Sequence, residues 1–180
     1  NIDVDAGENR GEEFLRVNPM GGLPAFIDRE GDRTPLTQSL AILEFLEEVA
    51  PTPSLLPGTP HDRARIRALA GMLASDTHPF ITPRVRKYLT ANAGFDPAAF
   101  KAWQMHWLTT GLQAYEQRLV SDGKSGKFSR GDAVTMADVC LASIVVIIRV
   151  FGIRIEGVPT VDRIVAARAS FARLMPPKFR

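Results

Sequence analysis

Gly21-Gly22 followed by Leu23-Pro24 constrains this chain more than any other stretch. An X-Pro bond loses most of the ordinary trans preference, so Leu23-Pro24 can be cis. A cis bond turns the Leu23 N–H and C=O outward instead of into a sheet ladder, leaving a peptide-shaped edge without a partner. Downstream, Gln38-Ser39 stands at the mouth of the run Leu40-Ala41-Ile42-Leu43-Glu44, which reads as a helix. Free N–H groups and the positive end of the helix dipole then face the same cleft. One end of such a cleft pairs with a backbone and the other holds a carboxylate, so it suits a small acidic peptide. Plainer alternatives stand beside this. Ser before an apolar periodic run is commonly an ordinary cap, and Leu23-Pro24 also fits a simple bend between strands.

At 180 residues and 45% hydrophobic content, the chain can bury a core in one domain or two small ones. Residues 1–50 carry 11 Asp/Glu against 4 Arg, and residues 51–180 carry 9 Asp/Glu against 18 Lys/Arg. The sign changes at Pro51-Thr52-Pro53, where the pattern also passes from strands to helices, so a domain boundary is expected there. The expected division is 1–50, a linker over 51–59, and a helical domain over 60–180. The basic residues are scattered along helices without interleaved aromatics, so no nucleic-acid partner is expected. The apolar run Ile144-Val145-Val146-Ile147-Ile148 stops at Arg149 and reads as core, so no membrane partner is expected. One cysteine, Cys140, excludes an internal disulfide framework and is most simply read as a buried small hydrophobe in a reducing, cytoplasmic setting. No cluster of His, Cys, Asp and Glu has metal-ligand spacing, and no metal is expected.

Along the chain, Glu12 to Arg16 reads as a short helix ended by Asn18-Pro19. Residues 25–28 and 33–37 read as a hairpin around Asp28-Arg29-Glu30-Gly31-Asp32. His61 to about Asn92 reads as one long helix bent at Pro79 and Pro83, where a kink opens space for a substrate pocket. Pro97 to Leu119 is the next helix, with Phe100, Trp103, Trp107 and Tyr115 spaced for one face. Thr135 to Val150 is the best-defined helix, with Thr135 as N-cap and the Asp138 carboxylate reaching back to the Thr135 N–H.

Asn18-Pro19-Met20-Gly21-Gly22-Leu23-Pro24, with Leu36-Thr37-Gln38-Ser39-Leu40 and the helix that follows, resembles the glutathione-binding half of glutathione S-transferases. The stretch from Glu47-Glu48 through Pro51-Thr52-Pro53 to Leu55-Leu56-Pro57 looks like the zeta class, which includes maleylacetoacetate isomerases. Gly131-Asp132-Ala133-Val134-Thr135-Met136-Ala137-Asp138 is similar to a helix start in the family's second domain, and Gly157-Val158-Pro159-Thr160-Val161 to the opening of the next helix. The resemblance implies a thioredoxin-like N-terminal domain, incomplete here, followed by an all-helical domain, with glutathione as cofactor and a homodimeric assembly. The family opens with a strand, then a loop and helix that carry the catalytic Ser or Tyr. Nothing of that kind precedes Asn1-Ile2-Asp3-Val4, so the sequence is expected to begin at the second strand and the thiol-activating residue has no position in it.

Residue by residue, the resemblance assigns Leu23 and Pro24 to backbone pairing with the cysteinyl part of glutathione, and Gln38 and Ser39 to its γ-glutamyl carboxylate. His78-Pro79 followed by Arg84 is similar to a segment of bacterial zeta-like isomerases, in which Thr82 stands where Asn is usual. It implies that His78 contacts glutathione or substrate, that Arg84 binds a substrate carboxylate through its two-pronged donor fork, and that Thr82 lies beside them. The alternative is a surface arginine and a histidine capping a kink. Arg149 interrupts an apolar helix next to Val150, where the family places a substrate-carboxylate arginine. Its alternative is an internal ion pair. The implied function is glutathione-dependent cis–trans isomerisation of a maleyl-type dicarboxylic acid. A broad transferase conjugating electrophiles, or a non-catalytic assembly domain of the same fold, are the other readings.

Overall fold

The computed structural model describes residues 2–4 and 6–167, and residues 168–180 of the expected helical domain lie outside it. The chain separates into two compact units that divide between Pro53 and Ser54.

In the first unit, a 3-10 turn over Glu8–Arg10 leads into α1 (Glu12–Val17), which Asn18-Pro19 ends as expected. β1 (Ala25–Phe26) pairs antiparallel with β2 (Leu36–Thr37), with Ala25 opposite Thr37 and Phe26 opposite Leu36. The hairpin is shorter than the alternation suggested. Asp28 Oδ1 accepts the Glu30 N–H at 3.0 Å and Asp32 Oδ1 accepts the Thr34 N–H at 2.8 Å. These side chains offer the backbone local partners in place of ladder bonds. α2 (Ser39–Val49) follows β2 directly and buries Ile42, while Phe45 lies 5.8 Å from Phe26, centroid to centroid.

In the second unit, α3 (Pro60–Ala74) starts at a capping box in which Thr59 and Asp62 satisfy each other's backbone N–H. Hydrogen bonds from Thr59 and from the Arg130 guanidinium hold Asp62 well below the usual carboxylate range. α3 packs chiefly on α6 (Met136–Phe151) and on α5 (Pro97–Asp122), and α5 also packs on α7 (Pro159–Ala166). Leu69, Leu73, Leu108, Leu112, Tyr115 and Ile144 are among the side chains that fill the space between them. Leu56 joins this core at 1% exposure, and the Leu55 carbonyl accepts the Met136 N–H at 2.9 Å. The Glu116 carboxylate on α5 accepts the Thr160 and Val161 N–H groups, at 3.0 and 2.9 Å, and so caps α7 from a neighbouring helix.

The long bent helix expected from His61 to Asn92 is instead two helices. α3 ends at Ala74, a 3-10 turn spans His78–Ile81, and α4 (Pro83–Ala93) begins anew. Pro83 forces the residue before it out of helical geometry, and Thr82 is extended at φ −73° and ψ 156°. The buried Thr77 hydroxyl also donates to the Met72 carbonyl at 2.7 Å, closing the end of α3 before either proline is reached. α5 runs one turn past the expected Leu119, to Asp122.

Candidate active site

The Gly21-Gly22 turn is held by two asparagines. The buried Asn18 donates its side-chain amide to the Gly22 carbonyl at 2.7 Å and accepts the Met20 N–H at 3.1 Å. Asn9 donates to the Gly21 carbonyl at 2.7 Å. Gly21 has φ 59°, and a Cβ there would lie 2.7 Å from the Asn9 carbonyl oxygen, so both conformation and space demand glycine. The sequence marks Asn18 as part of a helix stop and of the Asn18–Pro24 motif but assigns its side chain no role, and it does not single out Asn9. No local periodicity marks a side chain that bonds a turn several residues away.

Beyond this turn the Leu23-Pro24 bond is cis, as is Thr52-Pro53. Leu23 is half exposed, and no backbone hydrogen bond among the described residues engages its N–H or C=O. The hairpin pairs Ala25 with Thr37 and Phe26 with Leu36, so Leu23-Pro24 leads into β1 at the same end of the hairpin at which Gln38-Ser39 leaves β2. Gln38 takes φ 73° and ψ 115° at the N-cap of α2, a left-handed value rare outside glycine, and its side chain makes no capping bond. Ser39 is the first helical residue rather than the cap, so the ordinary-cap alternative does not describe it. Both side chains are exposed. The first backbone bond into α2 comes from the Ile42 N–H to the Gln38 carbonyl, which leaves the N–H groups of residues 39–41 without intrahelical partners. A backbone segment with free donor and acceptor therefore lies at the same hairpin end as a helix N-terminus with free donors and an unengaged hydroxyl. A ligand with a peptide group and a carboxylate matches both.

In the second unit, the turn between α3 and α4 carries His78, Thr82 and Arg84 together. The Trp103 indole N–H donates to the Phe80 carbonyl at 2.8 Å, and Phe80 stacks on Trp107 with centroids 4.1 Å apart, which fixes this turn against α5. His78 is partly buried; burial, and then the Arg84 cation, lower its pKa from the ordinary imidazole value and so favour the neutral ring. The Thr82 hydroxyl donates to the Pro79 carbonyl at 3.0 Å, leaving its lone pairs to accept. Arg84 is exposed on the first turn of α4. Arg149 differs from expectation. It is exposed in the last turn of α6, where a cation complements the helix dipole, and it is not a charge buried in an apolar helix. The sequence run misled because Val146, Ile147 and Ile148 are themselves only half buried as α6 ends.

Residues 1–48 match the family described as glutathione S-transferase, N-terminal domain. A maleylpyruvate isomerase of Ralstonia is 38% identical over 166 residues, covering 92% of this chain and 77% of the relative. The crystal structure of a maleylacetoacetate isomerase from Methylobacterium extorquens AM1, with malonate and glutathione bound, superposes with TM-score 0.87 at 43% identity, covering 96% of this chain and 81% of that one. The holo structure of a maleylpyruvate isomerase described as a bacterial zeta-class glutathione S-transferase superposes with TM-score 0.90 at 35% identity, covering 99% and 86%. With the unpaired Leu23 backbone and the open start of α2 at one end of the hairpin, these relationships lead to one conclusion: the chain belongs to the zeta class of the glutathione S-transferase family of enzymes.

Proposed function

We propose that the protein is a glutathione-dependent isomerase that converts a maleyl-type cis dicarboxylic acid to its trans isomer. The observation that carries this is the unpaired Leu23 backbone at the hairpin end where β2 passes into α2 with its first N–H groups free. Bound glutathione supplies a thiol nucleophile that adds reversibly to a double bond, so that rotation and expulsion give the trans product and return the thiol. In this chain, Leu23 aligns the cysteinyl peptide group by backbone pairing. Ser39, Gln38 and the α2 amides hold the γ-glutamyl carboxylate. Arg84 offers an exposed guanidinium fork to a substrate carboxylate. A neutral His78 serves as donor and acceptor without adding a second cation beside Arg84. Bound malonate in the Methylobacterium isomerase supports a dicarboxylate as the substrate class. Arg149 and Thr82 belong to the same proposal as secondary substrate contacts.

The division into a glutathione-binding domain over 1–50, a linker over 51–59 and a substrate domain over 60–180 is part of this reading, as are a homodimer and a cytoplasmic location. The acidic first part and basic second part favour packing across a subunit boundary. Light scattering on micromolar full-length protein tests the dimer, and a monomer counts against it.

The decisive experiment follows maleylpyruvate turnover by full-length protein while free thiol is titrated. Trans product with no loss of glutathione supports the isomerase. Stoichiometric consumption of thiol supports a conjugating transferase, and absence of glutathione binding by calorimetry supports an assembly role. Ser39→Ala is expected to weaken glutathione by about tenfold, the scale of one charge-assisted hydrogen bond.

A further inference from the structure

A cavity of about 420 Å³ opens in the second unit between α4, the start of α5 and the end of α6. It lies on a different side of α4 from the proposed substrate contact. Arg86 lines it, and on a helix two residues correspond to about 200°, so Arg86 and Arg84 point nearly opposite ways. Phe95, Phe100 and Phe151 give it apolar walls, and Phe151 keeps 41% of its surface exposed although it is a large aromatic. Volume and lining are those of a small-molecule site.

Gln104 decides what such a site accepts. It sits one turn beyond Phe100 and one turn before Leu108 on the buried stripe of α5, where an apolar side chain belongs. It is 3% exposed, lines the cavity, and its amide nitrogen has no hydrogen-bond partner among the described residues. Buried amides without partners are rare in folded proteins because the desolvated donor is a lasting cost. A half-turn of the amide about its last torsion exchanges oxygen for nitrogen with almost no change in shape, so the amide can turn its N–H towards a ligand in the cavity that its side chain lines. Arg86 and Lys101 add two cations at the rim. Asp96 also lines the cavity, but its Oδ1 accepts the Ala99 N–H at 2.7 Å and its charge is set against the positive end of α5. The balance favours an anion on an apolar body.

We infer that this cavity, bounded by Arg86, Lys101 and Gln104 with three phenylalanines, is a second ligand site for a small aryl-alkyl monocarboxylate, distinct from the substrate contact at Arg84. The aromatic ring lies among Phe95, Phe100 and Phe151, and the carboxylate meets the Gln104 amide and the two cations.

The test is calorimetric titration of full-length protein with 3-phenylpropionate, in the presence of saturating S-methylglutathione to fill the glutathione site. Saturable one-to-one binding that persists under these conditions is expected. Arg86→Gln with Lys101→Gln is expected to weaken it by about tenfold or more, as loss of charge-assisted contacts does. Gln104→Leu is expected to weaken it similarly while folding at least as stably as the parent, since the variant removes a partnerless buried donor. Neither change is expected to alter glutathione affinity. Displacement by S-methylglutathione, undiminished binding by the surface double variant, equal binding of neutral 3-phenylpropanamide, or no saturation at millimolar ligand each overturns the proposal. A failure here with glutathione binding intact leaves the isomerase reading standing.

Discussion

The Oδ1 atom of Asp138 accepts two hydrogen bonds from Ser129, from its N–H at 2.8 Å and from its hydroxyl at 2.6 Å. The other oxygen accepts the Thr135 N–H at 2.8 Å and the Thr135 hydroxyl at 2.7 Å. One carboxylate with no exposed surface thereby ties the loop before α6 to the first turn of that helix. Tyr115 on α5 joins by donating to the Ser129 hydroxyl at 2.8 Å. Asp138→Ala leaves several buried donors without an acceptor and is expected to cost about 3 kcal/mol. Thr135→Ala removes part of the cap, at about 1 kcal/mol, and Tyr115→Phe removes one neutral hydrogen bond, at about 1 kcal/mol. Urea midpoints at unchanged slope check the order, and an Asp138→Ala midpoint equal to that of Tyr115→Phe contradicts it.

Gly111 is a glycine inside α5 that packing explains. A Cβ built there lies 2.1 Å from the Thr77 hydroxyl oxygen and 2.9 Å from the Thr77 Cβ. Thr77 is 1% exposed and anchored to Met72, so it has nowhere to retreat. Gly111→Ala is therefore expected to destabilise by about 2 kcal/mol despite the better helix propensity of alanine. Combining it with Thr77→Ala should cost less than the sum of the two single changes, because one overlap is counted in both. Thermal melts of the three variants provide the cycle.

Cys140 lies inside α6, where burial, and then the neighbouring Asp138 charge, raise its pKa to about 11. The thiolate is the reactive form, so the folded protein should resist a disulfide reagent at pH 8. Addition of urea should release one thiol per chain, since Cys140 is the sole cysteine. Rapid modification of the native protein would falsify the buried placement.

His78 carries a pH signature with a definite sign. Its folded pKa lies below 6.5, so on acidification the unfolded chain takes up the proton first. The native state then binds fewer protons, and stability falls as pH drops from 7 towards 5. His78→Gln should flatten that part of the pH–stability curve, and Arg84→Gln should raise the imidazole pKa read by proton NMR. An imidazole titration that ignores the Arg84 change rules out the coupling.

Local sequence determined the features that close within one turn of chain. The Thr135–Asp138 cap, the stop at Asn18-Pro19 and the strand-to-helix step at Thr37-Gln38-Ser39 each depend on neighbours a few residues away, and steric and hydrogen-bonding rules act at that range. Tertiary structure alone decided the rest. Pro83 stops a continuous helix locally, but α3 already ends at Ala74, where Thr77 packs against the face of α5 that Gly111 leaves bare. Asn9 and Asn18 serve the Gly21-Gly22 turn only once the chain has folded back on it. Gln104 is buried despite its polarity and Arg149 is exposed although it follows an apolar run, because burial is set by which elements pack over a position, and no single segment carries that information.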